Sequence, residues 1–406
     1  MKRLIIISAI ILLSGTGFGK DYWSAMKNLD FNEAEAFIKG KEYELDYKKF
    51  LWGMQLTVAG DIELASRIMN ELAFGSRDSA VAENALTVLG ELWFVQNRWS
   101  AFNASDTYNR EYEDDAFNLV DAFAGAPEEE YVYPETVVRL PIRLSVTGCP
   151  IINVKINGKK RRLWLDTGAS MTALSSDFAE ELGIDALGSA TASAQTGTSK
   201  KIDVKPALID SMEIEKIKIR NHPAVILKAE DLEFKQAGIT FLRIDGIIGY
   251  NALKNLDIEI DYRHKRIRLR EPNLKADVER NLFWLGVPIV RLQTEDGTPL
   301  MFFFDTGASK TNLFEKISTR IDLGEVREKK ALIGSAGGME RIKTRKVSEL
   351  TLMLNGKQMD IVNLIMVLAP IEPFVNLHGI LGADVFAGKI LHIDHLNGLI
   401  EINTPE

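Results

Sequence analysis

The sequence predicts a mainly β fold of two pseudo-symmetric lobes preceded by an all-α region, and three observations predict it. The pentapeptide Asp-Thr-Gly-Ala-Ser occurs twice, at 166–170 and at 305–309. Further landmarks follow each copy in the same order and at matching distances. Before residue 125 the texture differs, with apolar residues at helical rather than alternating spacings.

The chain has 406 residues and is 46% apolar, enough for substantial cores in about two to three domains. A formal charge of −8 and a pI near 5.4 argue against a nucleic-acid partner, since phosphate binding needs clustered cations. The basic run Lys159, Lys160, Arg161, Arg162 follows the turn pair Asn157-Gly158 and reads as the solvated face of a hairpin.

Residues 1–19 carry the layout of a secretory signal: Lys2 and Arg3, an aliphatic run from Leu4 to Leu13, then small residues ending Gly17-Phe18-Gly19. The run is short for a bilayer span, and no later segment replaces it, so no stable membrane span is expected after cleavage. The expected location is periplasmic or extracellular. Cys149, the sole cysteine, is expected as a buried, inert thiol. The His-Ile-Asp-His run at 392–395 lies in strand-like sequence and matches no ligand spacing, so no metal site is assigned.

Residues 20–125 are assigned to the helical region. The segments at 61–75 and 79–95 are amphipathic, with Gly60-Asp61 and Gly75-Ser76 supplying breaks and caps. Asp30, Asp61 and Asn97 are each followed four residues later by an alanine, Ala34, Ala65 and Ala101, a loose repeat resembling helical-hairpin arrays of the tetratricopeptide kind. Such arrays present peptide-binding surfaces, which implies a protein partner for this region. Trp52, Trp93 and Phe94 are expected in its core rather than around a ligand. Residues 126–138, with two prolines and the run Glu128 to Glu130, read as a linker with a solvated acidic surface.

The remainder divides into lobes at 139–270 and 281–406, joined by 271–280. In each, a turn pair places its glycine, Gly158 or Gly297, eight residues before Asp166 or Asp305, predicting a hairpin whose second strand ends at the aspartate. Polar glycine-bearing segments follow at Thr196-Gly197 and Gly337-Gly338. The apolar runs Gly246 to Leu253 and Gly379 to Phe386 also correspond, with Asp261 and Asp394 each twelve residues after Gly249 and Gly382.

These residues resemble the retropepsin-like members of the aspartic protease superfamily. The resemblance rests on the two Asp-Thr-Gly-Ala-Ser motifs paired with Ile247-Ile248-Gly249 and Ile380-Leu381-Gly382, and it covers roughly 139–404. It implies two lobes about a pseudo-twofold axis, with Asp166 and Asp305 as a catalytic dyad in the cleft between them. One chain holding both halves would assemble the site as a monomer, with no cofactor beyond a catalytic water and with an extended polypeptide as substrate.

The dyad would share one proton, the ionised member activating water while the protonated member donates to the scissile carbonyl. By resemblance Thr167 and Thr306 brace the opposite loops, Gly168 and Gly307 bring amides to the carboxylates, and Ser170 and Ser309 cap the following turns. Thr196, Gly197, Gly337 and Gly338 would tip the flaps. Where pepsins carry a hydroxyl after the glycine this chain has Ala169 and Ala308, which implies fewer bonds to the charged carboxylate and a mildly acidic to near-neutral optimum. A different reading of the same cleft is a latent or non-catalytic peptide-binding protein.

Overall fold

In the computed structural model, which describes residues 21–404 apart from 105–114, 190, 199, 237–238, 325–326, 370 and 372, a hairpin leads into the aspartate of each β half. Asn157 and Gly158 adopt φ of 45° and 82°, the left-handed pair of a two-residue turn. They join Pro150–Ile156 to Lys159–Leu165 in continuous antiparallel register. Around Asp296-Gly297 the turn is longer, closed by Thr294 N–H on the Thr298 carbonyl at 3.0 Å, and it joins Pro288–Gln293 to Pro299–Phe304. The secretory signal lies outside the described residues, and no described helix is long and apolar enough to cross a membrane.

The two lobes then repeat one pairing scheme. Lys159–Leu165 runs parallel to Gly246–Ile248, which runs antiparallel to Thr172–Ser175, and that strand runs parallel to Ile217–Leu227. In the second lobe Pro299–Phe304, Gly379–Leu381, Asn312–Phe314 and Lys357–Val367 pair in the same senses. The short parallel strands are fully apolar because both faces are covered, as parallel strands require.

A five-stranded sheet joins the lobes, in the order Val138–Pro141, Arg266–Arg270, Asp257–Asp261, Ile390–Asp394, Leu399–Asn403. Its central pair sets Asp257 opposite Asp394, with Glu259 opposite His392. Asp257, His392 and Asp394 present ligand atoms within 4.8 Å of one another. Their charge is already met: Arg270 is bidentate on Asp257 at 2.9 and 3.2 Å, and Lys275 Nζ lies 2.7 Å from Asp394. Burial pushes both carboxyls up, but His392 and Arg270 at Asp257, and Lys275 and Asn397 at Asp394, outweigh it and hold them below the usual carboxylate range.

The N-terminal region is built on three longer helices, Glu44–Ala59, Ile62–Gly75 and Ser79–Val95. Gly60 ends the first in the left-handed conformation, and Asp61 caps the second by accepting from Leu64 N–H. Ala34 and Ala65, four residues after Asp30 and Asp61, are fully buried where neighbouring helices cross. The third copy departs: Asn97 has φ of 56° and its N–H bonds the Phe94 carbonyl, so it closes the preceding helix instead of opening the next.

Trp93 and Phe94 are buried, but Trp52 is 49% exposed, contrary to the core position expected for it. Helix Glu44–Ala59 buries Phe50, Leu51, Met54 and Val58, and Trp52 falls on the face turned away from them.

The helices share one apolar core with the lobes. Phe94 stacks on Trp284 at 5.9 Å, Phe50 meets Phe374 at 5.6 Å, and Arg320 grips Asp30 through two bonds of 2.6 and 3.1 Å. The stretch read as a linker is also built in. Glu130–Val132 pairs antiparallel with Ile217–Leu227 at the edge of the first lobe's sheet. Glu129, expected on a solvated surface, has a side chain only 7% exposed and bonds His222. An edge strand needs partners on one side only, which is why a proline-flanked segment can supply it.

Candidate active site

Two strands deliver the aspartates. Lys159–Leu165 and Pro299–Phe304 each end at the carboxylate-bearing residue, whose N–H bonds across the parallel pair: Asp166 to the Ile248 carbonyl and Asp305 to the Leu381 carbonyl, both at 3.1 Å. The return contact is duplicated too, since Tyr250 N–H reaches the Ala169 carbonyl at 2.7 Å and Ala383 N–H the Ala308 carbonyl at 2.8 Å.

Beneath the carboxylates the threonines interlock. Thr167 N–H donates to Thr306 Oγ1 and Thr306 N–H to Thr167 Oγ1, each at 3.0 Å. Each hydroxyl in turn donates to the opposite strand, Thr167 to the Phe304 carbonyl at 3.0 Å and Thr306 to the Leu165 carbonyl at 2.9 Å. Both side chains are fully buried, so every donor here is satisfied across the pseudo-twofold axis and a shift of one loop breaks bonds in both.

The carboxylates face each other within hydrogen-bonding reach. Gly168 N–H donates to Asp166 Oδ1 and Gly307 N–H to Asp305 Oδ1, each at 2.8 Å, with Ala308 N–H adding a 3.0 Å bond to Asp305. A Cβ on Gly168 would fall 2.4 Å from Asp305 Cγ, and one on Gly307 would fall 2.3 Å from Asp166 Oδ2. Only glycine lets each loop slide beneath the other lobe's carboxylate.

Burial raises both carboxyl pKa values, and the Asp166 charge pushes Asp305 further up. The proton belongs to the pair, because two adjacent negative charges in a desolvated site cannot both form cheaply.

Residues 152–252 match the family model described as aspartyl protease.

That span holds Asp166 and Gly249, and the match supports the aspartic protease superfamily and a peptidase. No curated protein matches the chain. Among solved structures the chain is similar to a retropepsin-like aspartic protease from Rickettsia conorii, at 23% identity over 36% of this chain and 96% of that one, with a TM-score of 0.24. It is also similar to the aspartic proteinase from Irpex lacteus, at 11% identity over 66% of this chain and 97% of that one, with a TM-score of 0.41.

Ile248 and Leu381 are buried in the strands that receive Asp166 and Asp305. Gly249 and Gly382 pack against the turns, where a Cβ would lie 2.3 Å from the Met171 carbonyl carbon and 2.6 Å from that of Lys310. The capping expected of Ser170 and Ser309 is done by other groups. Ser170 engages through its carbonyl, which accepts from Asn251 N–H at 3.2 Å, and Ser309 is exposed.

The side chains that close these turns stand two residues further on. Thr172 Oγ1 accepts from Gly249 N–H at 3.3 Å, and Thr311 Oγ1 accepts from Gly382 N–H at 3.1 Å. Asn251 Oδ1 takes the Thr172 N–H at 2.8 Å, and Asp384 Oδ1 takes the Thr311 N–H at 2.9 Å. Extending the repeat from five residues to seven, Asp-Thr-Gly-Ala-Ser-x-Thr, would have found both threonines.

Nothing in the repeat points to His222. Its ring is fully buried, with Nε2 2.7 Å from Thr172 Oγ1 and Nδ1 against Glu129, which also accepts from Asn97 Nδ2 at 3.0 Å. This hydrogen-bonded chain runs from the helical region to the turn beyond Asp166.

Thr196-Gly197 and Gly337-Gly338 stand at hairpin tips, between Ala192–Gln195 and Lys201–Ile214 and between Arg327–Ser335 and Gly338–Leu354. The tips touch: Lys200 Nζ donates to the Gly337 carbonyl at 2.6 Å, and Gly337 N–H to the Asp231 carbonyl at 2.8 Å. Cys149 is fully buried, its thiol donating to the Leu165 carbonyl at 3.4 Å, and burial pushes its pKa well up.

Proposed function

We propose that the chain is an exported aspartic endopeptidase that hydrolyses peptide bonds in an extended polypeptide, with Asp166 and Asp305 as its dyad. The observation that carries this reading is the pair of half-buried carboxylates delivered by two equivalent loops and braced by the reciprocal threonine bonds. In this reading the ionised carboxylate takes a proton from water as the water attacks the scissile carbonyl. The protonated carboxyl donates to the carbonyl oxygen, and collapse of the tetrahedral intermediate releases the amine.

Gly168 and Gly307 amides hold the carboxylates in place while charge moves between them. The two hairpin tips would close over the substrate, exclude bulk water and offer backbone groups to an extended chain. Both halves lie in one chain, which supports a site complete in the monomer. The paired helices Glu44–Ala59, Ile62–Gly75 and Ser79–Val95 support a helical-hairpin array of the tetratricopeptide kind that docks a protein partner. The leader-like residues 1–19 support export to the periplasm or the exterior.

Incubating the purified chain with an unfolded polypeptide tests the central claim. Cleavage is expected from the native chain, at mildly acidic to near-neutral pH, and from neither Asp166→Asn nor Asp305→Asn. Cleavage that survives both substitutions places the chemistry elsewhere and sinks the proposal.

A further inference from the structure

Away from the dyad, a cavity of about 860 Å³ lies where the helical region meets both lobes and the segment joining them. Trp99 lines it from the helices, Tyr250 and Lys254 from the first lobe, Arg280 from the connection, and Trp284 and His395 from the second lobe. Its volume falls in the range of small-molecule sites.

Two cations of the lining are held by backbone carbonyls rather than by carboxylates. Lys254 Nζ donates to the Val95 carbonyl and Arg280 Nη1 to the Leu396 carbonyl at 2.9 Å, and among the described residues neither makes an ion pair. Of the acids in the lining, Glu63 pairs with Arg98 and Glu129 with His222 and Asn97, while Glu128 is exposed. Burial holds the Lys254 ammonium down to about 8 and the His395 imidazole down to about 3, outweighing the opposing charges of Glu129 and Asp394.

Unpaired donors collect at the same place. Among the described residues Arg280 Nε, Trp99 Nε1 and Trp284 Nε1 are buried donors without a partner; the neutral His395 ring adds one unpaired donor and one unpaired acceptor, and Asn97 Oδ1 is a second unpaired acceptor. Native proteins leave few such groups, so a cluster of them beside a cavity calls for a ligand that accepts. The walls beside them are aromatic: Tyr250 stacks on Trp284 at 4.2 Å and meets His395 edge-on at 4.7 Å.

We propose that this cavity binds an organic carboxylate with an apolar body, of the kind carried by the C-terminal end of a peptide, with Arg280 and Lys254 as its cationic partners. A guanidinium edge matches a planar carboxylate, and the Tyr250–Trp284 stack matches an apolar side chain.

The test uses the full chain carrying Asp166→Asn, so that binding is read without cleavage and independently of whether the dyad is catalytic. The probes are the peptide N-acetyl-Ala-Ala-Ala-Phe as free acid and as C-terminal amide, N-acetyl-phenylalanine, and inorganic phosphate, followed by calorimetry and tryptophan fluorescence. The free acid is expected to bind at least about tenfold more tightly than the amide, and Arg280→Gln or Lys254→Gln to remove about tenfold of that affinity. Equal affinity for acid and amide, phosphate binding as tight as the free acid, indifference to both substitutions, or no saturable binding overturns the proposal. The acid-to-amide comparison leaves the cavity unaltered and so survives a variant that fails to fold. Tighter binding of the tetrapeptide than of N-acetyl-phenylalanine identifies a peptide terminus, and equal binding identifies a small carboxylate; both support the site.

Discussion

The two lobes share every strand pairing around their aspartates, yet they differ in what stands behind the turn. In the second lobe Thr311 is held by Asp384, whose one ion-pair partner among the described residues is the exposed Lys310 at 3.8 Å. In the first lobe the Asp384 position is the neutral Asn251, and Thr172 is further held by His222, Glu129 and, through them, Asn97 of the helical region. The difference teaches that duplication fixed the carboxylate geometry while leaving each lobe free to choose its support. Only the first lobe's support reaches the helices.

The dyad itself should be the place where the lobes are least distinguishable. Asp166→Asn and Asp305→Asn are each expected to lower kcat by roughly 10³-fold or more, because in the proposed mechanism the carboxylates act as a unit. A loss confined to one variant would break the equivalence of the two lobes. The same variants carry a stability signature with a definite sign. Burial raises both carboxyl pKa values above their unfolded value, so the folded state holds protons the unfolded state has lost, and stability falls as pH rises through the raised values.

Asp305→Asn is therefore expected to unfold at a higher temperature than the native chain at pH 7, with the gap closing toward acid. Asp257 and Asp394 behave in the opposite sense. Their depressed values give stability that is present above the unfolded carboxylate pKa and lost as pH falls through the folded one. Acid unfolding scans of Lys275→Met should show that loss reduced.

A smaller effect separates the threonines from the groups behind them. Thr167→Val and Thr306→Val each orphan a buried N–H of the opposite loop and are expected to cost roughly 1–3 kcal/mol in urea unfolding, equally in the two lobes. Unequal costs would show that one loop leans on the other. His222→Ala should cost about 2 kcal/mol by removing one buried bond each from Thr172 and Glu129, more than Asp384→Ala in the second lobe, whose side chain is partly solvated. Smallest of all, Asn97→Ala removes a single bond to Glu129 and should cost about 1 kcal/mol or less. If its kcat falls with unfolding unchanged, the helical region positions Asp166 through His222.

Much of the site was legible because it is written twice. The repeated motif, the turn glycine eight residues before each aspartate and the Gly249 and Gly382 elements all bear on strand ends, where sequence and structure lie close together. Thr172 and Thr311 were within reach of the same comparison. His222 was not, because its partners Thr172 and Glu129 lie 50 and 93 residues away and only the folded sheet brings them together. The Glu129 reading failed for the same reason: a run of glutamates looks solvated until an edge strand turns one of them inward.

By itself the sequence determined the β duplication, the hairpins and the two aspartates that the strands bring face to face, since periodicity, turn chemistry and repetition are local properties. Tertiary structure alone decided that the threonine hydroxyls interlock, that the helices share a core with both lobes, and that Lys254 and Arg280 line a cavity while bonding only to backbone carbonyls among the described residues. Those features depend on which side chains meet across the pseudo-twofold axis and the helical interface, and distance along the chain carries no record of such meetings.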